Sequence, residues 1–179
     1  MKIFNLLIFA SLLNSSVMAQ KFTPTDAGSK VHFVIKNFGI KTGGDFTGLK
    51  GKITFDPAAL GSSSFIVTVN AATVDTDNGT RDKHLKKESY FHVEKYPVLS
   101  FVSTKVTKST VAGRYYVFGN LTIKDVTKKI EFGFSATPTT TGYKFIGEFE
   151  INRRDFGVGG SSISMSDNLK ITLEINANK

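Results

Sequence analysis

The segment RDKHLKKESYFHVEKYP, Arg81–Pro97, gathers the residue types most able to do chemistry. It holds His84 and His92, two of the chain's three histidines, together with Asp82, Glu88 and several aromatics. Imidazole and carboxylate groups ligate zinc and serve as general acids and bases. On one uninterrupted helix, histidines eight residues apart would share a face. From Tyr90 onward, however, the pattern turns extended, so the helix ends near Ser89 and the two rings diverge. Zinc spacings such as H-x-x-x-H and H-E-x-x-H are absent. The residues fit a different reading better: a short helix over 80–89, capped by Asn78 or Thr80, that packs Leu85, Tyr90 and Phe91 inward. Arg81 and Asp82 would then form a local ion pair or a capping contact. His32 lies on the polar face of a strand pattern and reads as solvated. No metal site is expected.

A second dense cluster is NRRDFGVGG, Asn152–Gly160. Asp155-Phe156-Gly157 spells a kinase motif, but the companion glycine-rich loop, catalytic loop and strand lysine are missing. The glycines complete neither a dinucleotide fingerprint nor a Walker sequence. What remains is a glycine-rich loop leaving a strand, with Asn152, Arg153, Arg154 and Asp155 at its root. The paired arginines could lock that loop or hold the head group of a ligand; loop-locking fits more of the residues. Catalysis finds no support. There is no cysteine and no G-x-S-x-G elbow. Glu148 and Glu150 share a face, but their alternation with Phe149 points them to solvent. Asn78-Gly79-Thr80 is a glycosylation sequon, relevant only in a source that glycosylates.

Period-two alternation dominates the chain and sets where these clusters lie. One face of each strand pattern is apolar. Val31, Phe33 and Ile35 alternate with polar or mixed neighbours, and so do Leu49, Ile53 and Phe55, then Phe65, Val67 and Val69. Leu121 and Ile123 close another segment. Ile130, Phe132 and Phe134 form the next, followed by Tyr143, Phe145, Phe149 and Ile151, and by Leu169, Ile171, Leu173 and Ile175. With the shorter VLSFVST this makes eight strands, mostly polar on one face, the mark of an antiparallel sheet. A second helical turn fits Pro57–Leu60. Eight strands can close as a sandwich with a solid Phe core or as a barrel with room inside. Periodicity does not choose between them.

Composition bounds the rest. The chain has 179 residues, sixteen Phe, five Tyr, no Trp, no Cys and a net charge of +8. Residues 1–19 combine Lys2, an apolar run from Ile3 to Leu13 and small residues before Gln20, the pattern of a secretory signal peptide cleaved before Gln20. The apolar run falls short of the roughly 20 residues a membrane span needs. Residues 20–179 then form one domain without disulfides. Its lysines suit a solvated outer face, and less readily an anionic membrane surface. No basic run is dense enough for nucleic acid. Exposed sheet edges would allow a homodimer, though nothing in the sequence requires one.

Four stretches carry a family resemblance: SKVHFVIKNFGIKTGGDFTGLKGKITFD, VDTDNGTRDKHLKKESYFHVEKYPVLSFVST, GNLTIKDVTKKIEF and INRRDFGV. The second is the most specific, with T-x(4)-R-D-x-H-L from Thr76 to Leu85, then paired aromatics and Tyr-Pro. From about Phe22 to Asn176 the chain resembles the YceI-like family of exported, lipocalin-like, polyisoprenoid-binding proteins. It departs mildly in having Tyr90 and Phe91 where the family usually has two phenylalanines. The resemblance implies an all-β, extended eight-stranded antiparallel barrel with one short helix near 80–89. It also implies an apolar tunnel for a polyprenyl chain or quinone tail, a bacterial periplasmic or secreted location, and neither cofactor nor catalytic residues. The inward candidates for lipid binding are Phe33, Ile35, Phe55, Val67, Phe101, Leu121, Phe132, Phe134, Phe145 and Phe149. Arg81, Asp82, His84, Leu85, Tyr90 and Phe91 are expected as a lid and brace near one mouth, and Asn152, Arg153 and Asp155 at a barrel mouth. The competing reading is a non-catalytic structural or interaction module of the cell envelope with a solid core.

Overall fold

A computed structural model describes residues 20–179; the expected signal peptide lies outside the described residues. Nine strands form one antiparallel sheet. They are β1 (Gln20–Asn37), β2 (Ile40–Phe46), β3 (Lys50–Phe55), β4 (Ser64–Asn70), β5 (Val98–Lys108), β6 (Arg114–Ile123), β7 (Val126–Pro138), β8 (Gly142–Asn152) and β9 (Met165–Asn178). Each strand from β3 onward pairs with the next, and β9 returns to pair with β1, so the sheet closes into a barrel. β2 and β3 follow one another along the same edge of β1, pairing with its residues 31–37 and 20–22 respectively. Together they act as one interrupted strand, and the barrel wall is eight strands around. Closure leaves few open edges.

The one α-helix among the described residues, α1 (Gly79–Leu85), lies between β4 and β5. It is shorter than the expected 80–89, because the chain turns repeatedly through residues 86–95. Asn78 is its cap: Oδ1 accepts the Arg81 amide at 3.0 Å. The turn expected at Pro57–Leu60 appears slightly later, as a short 3₁₀ turn over Leu60–Ser62.

The two ends of the barrel differ. At the end holding the β3–β4, β5–β6 and β7–β8 connections, aromatics fill the lumen. Phe55 is 1% exposed and its ring meets Tyr143 at 5.2 Å, Tyr115 at 5.3 Å and Phe145 at 5.3 Å, all edge-on. Phe65 and Phe134 complete the plug, 5.4 Å apart. Edge-to-face packing suits rings that converge from several walls. Toward the other end of β3, Gly51 lies opposite Val67 of β4. Its φ is +138°, and an added Cβ would lie 2.0 Å from the Ile66 carbonyl oxygen, so only glycine lets β3 approach β4 there.

Candidate functional site

At the opposite end the lumen is hollow. Two adjoining chambers of about 150 Å³ and about 120 Å³ share Phe33, Phe46, Leu99, Ile123, Ile151 and Ile171 as walls. Many inward-facing residues here, including Phe101, Leu121, Phe132, Phe149 and Ile171, are only half-buried, unlike Phe55, Phe65, Phe134 and Phe145 of the plug. No side chain of the described residues fills the space they face. Of the ten inward candidates, Phe33, Ile35, Val67, Phe101, Leu121, Phe132 and Phe149 line the chambers. Phe55, Phe134 and Phe145 line neither and form the plug instead. Phe132 and Phe149 stack at 4.6 Å across a seam that the β7–β8 ladder does not reach; it stops at Phe134 and Gly147.

The outer chamber is covered by α1 and the turns after it. Arg81, Leu85, Tyr90 and Phe91 line it, with Arg153 and Val158 from the loop after β8. Phe91 reaches inward to meet Phe46 edge-on at 5.3 Å. Arg81 and Asp82 do not pair with each other; both clamp Thr76, which is buried. Asp82 Oδ1 accepts the Thr76 amide at 3.0 Å and the Thr76 hydroxyl as well. Arg81 Nε donates to that hydroxyl at 2.7 Å, and its Nη2 donates to the Thr76 carbonyl. Every polar group of Thr76 is thereby satisfied, and the loop into α1 is closed as a staple. Asp82 serves the lid through this staple and does not itself line the chamber.

Asp82→Ala would leave the Thr76 N–H and O–H without their acceptor and strand the guanidinium beside them. Buried groups left unpaired cost about 1–3 kcal/mol each. The expected result is a loss of about 2–3 kcal/mol in urea denaturation, with no change in metal content.

The histidines take no part in a shared site. His84 is exposed and packs on Tyr90 at 4.9 Å, while His92 packs on Tyr96 at 5.7 Å. Among the described residues, no group of three or more histidine, aspartate or glutamate side chains converges as a metal site would require. His32, read as solvated, is instead paired: its Nδ1 lies 2.9 Å from Asp45 Oδ1, directly opposite on β2. Glu148 points outward to Lys170 at 2.7 Å.

The second cluster locks its loop. Arg153 is 4% exposed. Its Nε donates to the Ser166 carbonyl at 3.0 Å, Nη1 to the Val158 carbonyl at 2.9 Å and Nη2 to Asp167 at 2.7 Å. Asn152 caps the short 3₁₀ turn Arg153–Phe156 by accepting the Arg154 amide at 2.9 Å, and Asp155 stays exposed on its outside. The loop is also tied to the lid. The Gly159 amide donates to the Ser89 carbonyl at 2.8 Å. Lys124, in the β6–β7 turn, donates to the carbonyls of Glu88 at 3.2 Å and Gly157 at 3.1 Å. Tyr96 donates to Asp125 of the same turn at 3.0 Å. Three separate segments thus brace one mouth.

The YceI-like domain family matches residues 22–177, nearly all of the described barrel. The chain belongs to the YceI-like family. A UPF0312 protein of Ectopseudomonas mendocina is 34% identical over 80% of this chain and 71% of its own length. The crystal structure of Burkholderia cenocepacia BcnA superposes with a TM-score of 0.80 at 25% identity, covering 86% of this chain and 98% of that one. A polyisoprenoid binding domain from Saccharophagus degradans, implicated in plant cell wall breakdown, shares the fold at a TM-score of 0.67. It is 13% identical, over 90% of this chain and 99% of that one. In this YceI-like barrel the stretch from Thr76 to Leu85 is the staple that seats α1 over the outer chamber.

Sequence reasoning missed several chamber residues. Leu99 follows from its alternation with Phe101, and Ile171 from the apolar face it shares with Leu169, Leu173 and Ile175. Phe46 ends β2, a strand whose pattern gave no signal. Thr76 opens the T-x(4)-R-D pattern, but its role as the target of both Arg81 and Asp82 is visible only in the folded loop.

Proposed function

We propose that this protein binds an isoprenoid lipid, a polyprenyl chain or a quinone tail, in the hollow half of the barrel, and acts as a periplasmic or secreted carrier or store, not as an enzyme. The observation that carries this reading is the half-buried apolar wall around space open toward a braced lid. Apolar cavities near 150 Å³ admit a molecule the size of benzene. Two such chambers in tandem suit a thin chain of branched units, one following another, better than one compact ring system. Phenylalanine walls lose little rotamer entropy on contact with such a chain. The wall contacts would be Phe33, Ile35, Val67, Phe101, Leu121, Phe132 and Phe149, with Leu85, Tyr90 and Phe91 closing over the outer end. Phe55, Phe134 and Phe145 would close the barrel beyond the chambers without touching the lipid chain. Arg81 and Tyr90 stand where a polar head would emerge. The family, and the polyisoprenoid binding domain that shares its fold, agree with this reading.

The test is a series of polyprenols of rising length, titrated by displacement of a fluorescent apolar dye. Each buried carbon contributes about 0.8 kcal/mol before ordering costs. Affinity should climb about tenfold or more with each added isoprene unit, then level off once the hollow is full. An affinity indifferent to length would reject the proposal.

A further inference from the structure

The mouth of the barrel carries an exposed feature that the fold does not need. The β1–β2 hairpin turns through Phe38 and Gly39, with φ of +50° and +76°. Such a turn favours Asn, Asp or Gly at both positions, because a larger side chain is strained in the left-handed region. Phe38 is nonetheless there, and it is 80% exposed. It packs into no core cluster, yet its backbone is held: the Phe38 amide donates to the Ser164 carbonyl at 2.7 Å. Beside it stand Ile40, 70% exposed, and Ile163, fully exposed on the adjoining loop. Single exposed apolar residues are ordinary, whereas a cluster of large ones on bonded neighbouring loops marks a contact surface.

A second unfavourable feature falls at the same tip. Lys36 and Lys41 are directly opposite one another on β1 and β2, and both are exposed. Like charges so placed destabilise a strand pair. No acidic residue occurs between Ala27 and Gly44, and the Gly157–Ser166 loop carries no charge at all. The first carboxylates along β2 and β9 from this tip are already engaged, Asp45 by His32 and Asp167 by Arg153 and Arg154. Exposed Lys83 and Lys87 on the outside of the lid add to the positive field.

Strained aromatic, paired lysines and clustered isoleucines each oppose folding or solubility, and all suit one surface. We infer that this tip docks on an anionic phospholipid bilayer, with Phe38, Ile40 and Ile163 entering the headgroup boundary and Lys36 and Lys41 lying against the phosphates. Shallow apolar anchors joined to a few lysines give reversible, charge-dependent binding. The docked tip brings the mouth of the barrel to the membrane. The inference stands apart from the barrel's contents, since it rests on the outside of the hairpin alone.

The chain's lack of tryptophan supplies the test. Phe38→Trp places a single indole at the tip, and Val111→Trp places one at the exposed β5–β6 turn of the closed end. Each variant is mixed with vesicles of phosphatidylcholine containing about one-third phosphatidylglycerol, and with vesicles of phosphatidylcholine alone. Emission of Phe38→Trp is expected to shift to the blue with the anionic vesicles only and to reverse in high salt, while Val111→Trp stays unchanged. In sedimentation with the same vesicles, Phe38→Asn should bind about tenfold more weakly than wild type and melt no lower, because Asn tolerates the turn. Lys36→Gln and Lys41→Gln should each weaken binding roughly fivefold. No shift at Phe38→Trp, or an equal shift at both positions, would overturn the inference. A blue shift that appears on concentrating Phe38→Trp without vesicles would assign the tip to a second copy of the chain and overturn it equally.

Discussion

Ile171→Trp is expected to weaken isoprenoid binding at least about a hundredfold while leaving the barrel folded. Ile171 lines both chambers, facing Phe33 of β1 and Phe149 of β8 across the ladder. A tryptophan there would stand in the neck between them. In a solid core such an insertion forces neighbours off their rotamers and costs about 1–3 kcal/mol. Here the added ring enters empty space and gains apolar contacts, so the melting temperature should hold or rise. Isoprenoid affinity should fall at least about a hundredfold, because only the outer chamber would stay reachable. Dye displacement and a thermal melt on the same sample check both halves. Undiminished binding, or a sharp loss of stability, would mean the neck is not hollow.

Phe55→Ala should have the opposite signature. Phe55 is the hub of the plug, edge-on to Tyr115, Tyr143 and Phe145 and almost wholly buried. Its removal leaves a cavity among rings fixed on four different strands, which cannot all close in. Truncations of this kind cost about 3–5 kcal/mol, the largest stability loss expected for one substitution here. Isoprenoid affinity in the surviving folded fraction should change little, since Phe55 touches neither chamber. Urea denaturation measures the first effect, and titration well below the urea midpoint measures the second.

The contrast between these two residues marks where sequence reading stops. Phe132 and Phe134 sit two apart on β7 and face the same side, and alternation treats them alike. Phe134 meets Phe65 and Phe145 and is buried in the plug, while Phe132 looks into the hollow. What the opposite strands bring to each level decides the difference, and that is a property of closure and register. The eight strand patterns were legible because one-face burial writes a period of two into the chain. β2 was not. Its Gly43-Gly44 breaks the alternation, and Gly44 is needed because the Phe33 ring lies where its Cβ would be, 2.6 Å away. The first part of β1 was also missed, since Pro24 and the register shift between Thr25 and Lys30 interrupt it. In the mouth cluster, loop-locking by Arg153 was legible from dense polarity at a strand end. The joint grip of Arg81 and Asp82 on Thr76 was not, because it exists only once the loop into α1 has closed.

The hollow itself is tested most directly by native mass spectrometry of freshly purified protein, taken without any delipidating step. The expected spectrum shows a mass excess of one ligand per chain. That ligand should fragment in repeating five-carbon units, and Ile171→Trp should lack it. A spectrum of bare chain that stays bare after incubation with polyprenol would contradict an isoprenoid-filled barrel.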